Sequence, residues 1–416
     1  MNKLHRAKGM GQRVWMILLI LHLSFIIHHS SFAQNLSPSA KMSLLTVGPG
    51  EDLYSVFGHT AIRVNDPARN IDVTFGWGGF RFAENNFYVK FLRGTLPYYI
   101  DAYDMYPFLY AYQAENRTVR EQILNLSQAQ KEKLFAVLQT NMLPENRTYQ
   151  YKFFYDNCAS RPRDKIAEAC GDSLTIPTKA KMTGKSYRDW MNDYLDKSGK
   201  TWAKLGMNLA IGNPADEQTD GWHAMYLPDN VHDQMAKSTL RQGDGRVVPL
   251  VASDQTLFEA RQTIRQQLPF ILDPNVVFGL LALAVAVYTI RRYMLAGKVD
   301  RWLDRLLFGV SGFLGWFLYL LWVGTDHGVT AWNPTLLYLM PLHLPLIYWA
   351  TRPSATARRR TVYFSVTSIL ILLGMILSNV PGGVDVVYPL MLLIRCVVNI
   401  QVVRRGYHTP ARVEEV

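Results

Sequence analysis

Three cysteines in 416 residues are too few for an exported domain held together by disulfides. Cys396 lies inside an apolar run, so only Cys158 and Cys170 remain to pair with each other; a bonded and a free Cys158 are both open readings. The chain has no internal repeat and no low-complexity tract, which excludes solenoids and disordered arrays. No grouping of His, Cys, Asp and Glu has the spacing of a metal site. The formal net charge is +11, yet no RNA- or DNA-binding module accompanies it. Many of the excess cations sit in short loops between apolar runs, so nucleic acid is not an expected partner.

What is present begins with a leader. Lys3, Arg6, Lys8 and Arg13 precede an apolar run over 14–27, and Ser31-Phe32-Ala33 puts small residues at the −3 and −1 positions of a cleavage site. The run is shorter than the roughly 20 residues that a membrane span needs, which favours a cleaved signal peptide over 1–33. Residues 34–267 then have the composition of a soluble domain. Beyond residue 268, apolar runs occur at 270–290, 306–324, 335–350, 361–379 and 386–403, each near the length that crosses a bilayer.

The loops between these runs differ in charge. The loop after the first carries Arg291, Arg292, Lys298, Arg301 and Arg305; the loop after the third carries Arg352, Arg358, Arg359 and Arg360; the tail carries Arg404, Arg405 and Arg412. The intervening loops, 325–333 and 381–385, have no Lys or Arg. This bias predicts five spans over 268–405, the soluble domain outside in the periplasm and a cytoplasmic tail at 406–416.

Within the soluble domain, 41–47 reads as a strand, and 60–64 and 71–75 as a hairpin turned by Asn65-Asp66-Pro67. Ser127 with Gln130 forms a capping box ahead of Leu134, Val137 and Leu138 at helical spacing. Residues 151–155 read as an aromatic strand. A helix follows to about Ala169 and stops at Gly171. The remainder to 267 reads as mixed helix and loop.

Two segments could carry chemistry. Phe57-Gly58-His59-Thr60 lies where a loop meets a strand, and Tyr155-Asp156-Asn157-Cys158 where a strand meets a helix. A thiol becomes a nucleophile when a base or cation is near, and a helix N-terminus favours its thiolate and can hold an oxyanion. Pro162 puts the regular helix start nearer Ser160, with Cys158 on the turn before it. The plain alternatives are a surface or core histidine and a small buried cysteine. Arg395 falls near the middle of the last apolar run, where a charge is paired or functional; His343 or an incoming phosphate would be its partner.

Gly58-His59-Thr60-Ala61-Ile62-Arg63, Asp72 and Asp156-Asn157-Cys158 through Arg161-Pro162-Arg163-Asp164 resemble the Lnb N-terminal periplasmic domain family. The similarity continues through Ser186-Tyr187-Arg188, Trp202, Gly212, Asp216 and Met225-Tyr226-Leu227-Pro228, and into the membrane part through Asp326-His327 and Asn333. The resemblance implies an α+β periplasmic domain of permuted papain-like, NlpC/P60-like fold, with the His ahead of the Cys as in the lecithin:retinol acyltransferases. An all-α membrane domain of about five helices would follow it. It implies lipoprotein N-acyltransferase activity at the inner membrane of a Gram-negative bacterium, without a cofactor. A phospholipid would donate an acyl chain, by way of a thioester, to the α-amine of a diacylated lipoprotein.

On that resemblance Cys158 is the nucleophile, His59 its base, and Asp72 or Thr74 the group that orients the imidazole. Asn157, Arg161, Arg163, Arg188, Asp326, His327 and Arg395 become candidates for binding substrate, against solvated or structural roles for the same side chains. Ala159 departs from the Thr or Ser common in the family and removes a hydroxyl donor. The rival readings are a membrane-anchored cysteine peptidase or amidase acting on cell-wall peptides with the same Cys/His pair, and a non-enzymatic envelope scaffold with a Cys158–Cys170 disulfide.

Overall fold

A computed structural model describes residues 35–261, 268–378 and 383–408. The expected signal peptide, the domain boundary at 267 and most of the expected tail lie outside them. The soluble domain is built on a seven-stranded sheet in the order β12-β5-β1-β2-β3-β4-β6, antiparallel throughout. Its strands are β1 (Lys41–Val47), β2 (His59–Asp66), β3 (Ile71–Gly79), β4 (Pro97–Asp104), β5 (Val119–Leu124), β6 (Thr148–Gln150) and β12 (Val251–Phe258). The short strands β7 (Leu174–Thr175), β8 (Met182–Ser186), β9 (Gln218–Asp220), β10 (Thr239–Arg241) and β11 (Val247–Pro249) form two small satellite sheets.

The expected hairpin is β2–β3, turned by a short helical segment at Pro67–Arg69. The expected capping box is present: Ser127 Oγ accepts from Gln130 N at 3.3 Å, and Gln130 Oε1 accepts from Ser127 N at 2.9 Å. Residues 151–155 are not a strand. Lys152 O accepts from both Tyr155 N and Asp156 N, closing a tight turn that aims the following cysteine.

Among the described residues seven α-helices complete the domain: α1 (Phe87–Arg93), α2 (Met105–Ala114), α3 (Gln128–Met142), α4 (Ser160–Cys170), α5 (Tyr187–Lys197), α6 (Thr201–Ala210) and α7 (Pro228–Lys237). One face of the sheet buries Met42, Leu44, Ile62, Val64, Phe75 and Trp77 with Ile166 and Ala169 of α4. The other buries Leu45, Val47, Ala61 and Val119 under Met105 and Phe108 of α2. Alternation along β1 and β2 supplies both faces. At about 1.5–3 kcal/mol for each large side chain buried, this two-sided packing is the main source of the domain's stability.

The second domain is helical. Among the described residues four helices are long and apolar enough to cross a membrane: α8 (Pro274–Ala296), α9 (Arg301–Gly324), α11 (Ala357–Leu377) and the window Val384–Arg405 of α12 (Val384–His408). Phe313, Leu295 and Ile376 are exposed on them, as side chains facing lipid would be. The apolar run expected at 335–350 is broken: a helical turn at Pro334–Leu337, then α10 (His343–Thr351). It still traverses the bundle. Asn333 at its start donates to Leu209 O of the soluble domain at 2.8 Å, and Thr351 at its end meets Arg305 near the opposite end of α9. Pro341 prevents a regular helix there. Gly312 and Gly315 of α9 make room for the irregular backbone, since a Cβ at either would strike Leu344 N or Leu339 O. Irregular chain at membrane depth is tolerated where protein covers it.

The buried charge in the last helix has a partner other than His343. Arg395 Nε donates to Asp304 Oδ1 at 2.8 Å, Nη1 to Thr289 Oγ1 at 2.9 Å and Nη2 to Asp300 O at 3.1 Å. Asn399 also donates to Asp304. His343 Nδ1 instead pairs with the Tyr363 hydroxyl. Arg395 is thus saturated by protein, at the level where α9 begins, and is a structural tie among α8, α9 and α12 rather than a ligand for an incoming phosphate. Removing one member of a buried pair strands the other, at a cost of about 3–5 kcal/mol, whereas removing both is far milder. Arg395→Leu should lower the thermal unfolding midpoint of the detergent-solubilised protein sharply, and Arg395→Leu with Asp304→Leu should recover most of the loss.

Candidate active site

His59 opens β2, and Cys158 lies on the turn two residues ahead of α4. The side chain of Asn157 builds that turn. Its Oδ1 accepts from Ala159 N at 2.8 Å and Ser160 N at 2.9 Å, while its Nδ2 donates to Phe153 O and Tyr226 O. Every polar atom of Asn157 is therefore engaged in holding Cys158, which leaves none for substrate. The same bonds cap the helix start, so the amides expected to favour the thiolate or receive an oxyanion are already occupied. Cys158 and Cys170 flank α4, more than about 15 Å apart, beyond disulfide reach, and both are free. This removes the disulfide on which the scaffold reading rested.

The histidine and cysteine are gathered by two glycines of β3. A Cβ built on Gly76 would lie 3.0 Å from His59 Nε2, and one built on Gly78 would lie 3.6 Å from Cys158 Cβ. Positions i and i+2 of a strand share a face and are about 7 Å apart. Gly78 has φ +115° at an irregularity in the β3–β4 register, a conformation that favours glycine. Bare backbone here lets the imidazole lean across β3 and the cysteine turn settle against it.

Around them stand groups that the sequence reading missed. The Tyr151 hydroxyl hydrogen-bonds the thiol, and the backbone N–H groups of Thr60 and Cys158 itself also point at the sulfur. Tyr112 of α2 stacks on His59 with ring centroids 6.3 Å apart, and the Arg117 guanidinium lies 4.9 Å from the Tyr112 ring. The Tyr149 hydroxyl is buried near the thiol with no protein partner among the described residues. Two signals for these residues exist in the sequence: glycines inside a strand at 76 and 78, and the alternation Tyr149-Gln-Tyr151 just upstream of Asp156-Asn157-Cys158.

Electrostatics correct the expected thiolate. Burial pushes the Cys158 thiol up to about 11, against the smaller opposing effects of the Tyr151 hydrogen bond, the Thr60 amide and Arg117. Burial, helped by the Arg117 charge, pushes His59 down to about 4. At neutral pH the thiol and the imidazole both rest neutral. Such an imidazole is free to accept a proton, and the donors around the sulfur would stabilise the anion once it forms.

Asp72 is elsewhere. It pairs with Asn65 across the hairpin, six residues or about 20 Å along β2 from His59. Arg63 holds it through bonds of 2.7 and 2.8 Å, and Arg63 binds Glu121 as well. Thr74 donates to Tyr103 O. Neither orients the imidazole; stacking by Tyr112 and the gap at Gly76 do so.

The candidate arginines are engaged too. Arg161 pairs bidentately with Asp156 and stacks 3.7 Å from the Tyr149 ring, which bolts down the cysteine turn. Arg163 holds Asp164, Trp222 O and the Trp222 ring. Arg188 is buried on Asp216, Asn208 and Gly212 O. These are framework contacts.

Asp326 and His327 join the two domains. Asp326 N donates to Arg93 O at 2.7 Å, and its carboxylate receives Gln150 Nε2 and lies 3.2 Å from Lys152 Nζ. His327 Nε2 lies 2.9 Å from Leu92 O, so that nitrogen carries the proton. A second contact set joins Gly212 N to Val329 O and Trp202 Nε1 to Leu272 O, each at 2.8 Å. The loop after α9 thus grips the end of α1 and the strand β6 that leads to Tyr151.

Comparison with known proteins gives two matches. Residues 30–191 match the profile of the Lnb N-terminal periplasmic domain, and residues 265–406 that of the Lnb transmembrane domain. No curated protein and no solved structure matches the chain.

Two measurements probe this geometry. Alkylation of Cys158 through its free thiolate should keep rising through pH 9 toward about 11, while the part that depends on His59 should stay level with pH and be lost only below about 4. Total alkylation that levels off near neutrality in the His59→Ala variant would mean a preformed thiolate. Gly76→Ala crowds Nε2, and should slow alkylation about tenfold or more while the unfolding midpoint shifts little.

Proposed function

The chain belongs to the Lnb family of lipoprotein N-acyltransferases through both of its domains, and on that premise we propose that it transfers an acyl chain from phospholipid to lipoprotein through a thioester on Cys158. The observation that carries this reading is the seating of Cys158 and His59 against two neighbouring glycines of β3, in a domain hydrogen-bonded directly to a membrane bundle. A site acting on soluble peptides has no need of that docking; a site drawing both substrates from a bilayer does.

The steps follow from the protonation states. His59 Nε2 takes the thiol proton as Cys158 Sγ attacks the ester carbonyl of a phospholipid. Negative charge grows on the carbonyl oxygen, and the unpartnered Tyr149 hydroxyl is a donor suited to it. The carbonyl–oxygen bond to glycerol breaks, His59 returns the proton to the departing oxygen, and a lysophospholipid leaves. In the second half the α-amine of the diacylated cysteine attacks the thioester. The carbon–sulfur bond breaks, the amine proton passes by way of His59 to the sulfur, and the free thiol is restored. Splitting the transfer in two predicts ping-pong kinetics. Tyr151, bonded to the sulfur, positions the nucleophile and steadies the transient thiolate.

The topology belongs to the same reading. The soluble domain lies in the periplasm and the C-terminus in the cytoplasm, as the loop cations require. The site then stands above the outer leaflet of the inner membrane, where diacylated lipoproteins arrive.

The deciding experiment is mass spectrometry of lipoprotein N-termini in cells with and without this protein. Triacylated termini should depend on it, and Cys158→Ala and His59→Ala should each reduce them at least about a hundredfold. An acyl adduct on Cys158 of the purified enzyme should appear when phospholipid is supplied without acceptor. Unchanged N-termini, together with cleavage of cell-wall peptides, would instead favour a peptidase.

A further inference from the structure

We infer that an aromatic wall on α1 and the segment before it receives a phospholipid acyl chain from the adjacent leaflet and leads it to Cys158; the inference rests on the acyl-transfer reading above. From Tyr151, which bonds the thiol, rings follow in near contact. Tyr98 lies 4.7 Å from Tyr151 between centroids, Phe80 is 5.6 Å from Tyr98, Phe87 is 5.9 Å from Phe80, and Phe91 is 6.1 Å from Phe87. Phe82 joins the row 5.0 Å from both Phe80 and Phe87.

The far end of this row is exposed. Tyr88 is 77% and Phe82 74% accessible, and Val89, Phe91 and Leu92 are more than half exposed. Five apolar side chains open to water on one short segment would be a liability in a soluble domain.

Position identifies what covers them. The carbonyls that end α1, Leu92 O and Arg93 O, are bound by His327 and Asp326, immediately beyond the end of the long apolar helix α9. The exposed face is therefore continuous with the membrane surface of the bundle and stands at the height of a bilayer interface. Its flanks carry the exposed cations Arg81 and Arg93, complementary to lipid phosphate. An apolar face with a basic rim at an interface suits a phospholipid: headgroup at the rim, one chain along the rings. Phenyl faces offer an alkyl chain dispersion contact and area burial at every step, with few hydrogen-bonding groups to desolvate.

The test uses the full-length protein in vesicles of phosphatidylethanolamine and phosphatidylglycerol, with no lipoprotein present. A benzophenone amino acid replaces Phe82 in one variant and Tyr88 in another. Irradiation should produce an adduct of one phospholipid mass at each position. Absence of lipid adducts at both, or cross-linking to a second copy of the chain, overturns the inference. In parallel, Phe82→Ser with Phe87→Ser should lower loading of Cys158 from a long-chain phospholipid at least about tenfold more than loading from a short-chain soluble ester. Equal losses with both donors would also overturn it. If wild-type Cys158 never carries an acyl group, the thioester reading fails by itself, and the photo-adducts still decide whether the aromatic wall holds lipid.

Discussion

Backbone pairing between β2 and β3 sets Ala61 across from Gly76, and the site depends on that register. It carries His59 to the end of β2, where the strand opposite has no side chains to obstruct it. A slip of one residue would turn His59 to the other face of the sheet and put a β-branched or aromatic residue where the glycines now lie. The core enforces the register from both sides. Ile62 and Val64 are buried against α4, and Ala61 with Val47 against α2. The packing that stabilises the domain is thus also what aims the imidazole.

The polar framework works on the cysteine in the same manner. Asn157 closes the turn, Arg161 clamps Asp156, and Tyr151 engages the sulfur. The thiol and the imidazole both rest neutral because each is poorly solvated. A neutral pair is suited to an apolar substrate, since an ion pair would have to be desolvated whenever an acyl chain entered.

The membrane bundle joins this site by hydrogen bonds at several points. Asp326 and His327 hold α1 and β6, while Val329 and Asn333 hold the chain at 209–212. Within the bundle the Arg395–Asp304 pair ties together three helices around an interrupted segment whose backbone could not sit against lipid. These bonds fix the soluble domain directly on the helical bundle.

Much was legible in the residues taken alone. Periodicity and turn chemistry mark β1, the β2–β3 hairpin and the capped helix α3, because each is a local pattern whose signal lies within about fifteen residues. Apolar run length and loop charge mark the membrane domain for the same reason, whereas the Gly-His-Thr and Asp-Asn-Cys segments point to His59 and Cys158 only through the family they resemble. Contacts distant in sequence were not legible. β12 has an exposed, unpatterned sequence and becomes a strand only because β5 offers it an open edge. The apolar run at 335–350 looks like an ordinary span, yet proline and the glycines of α9 make it a broken one. Asp72 has the right chemistry to orient a histidine, but register binds it to Arg63 far from the site. Arg395 reads equally as a ligand or a structural cation, and only the approach of Asp304, ninety-one positions earlier, makes it structural. Sequence determined which groups were available and which segments meet lipid, since both are properties of short stretches; tertiary structure alone decided which groups meet, because burial, register and pairing are set by chain segments that share no local signal.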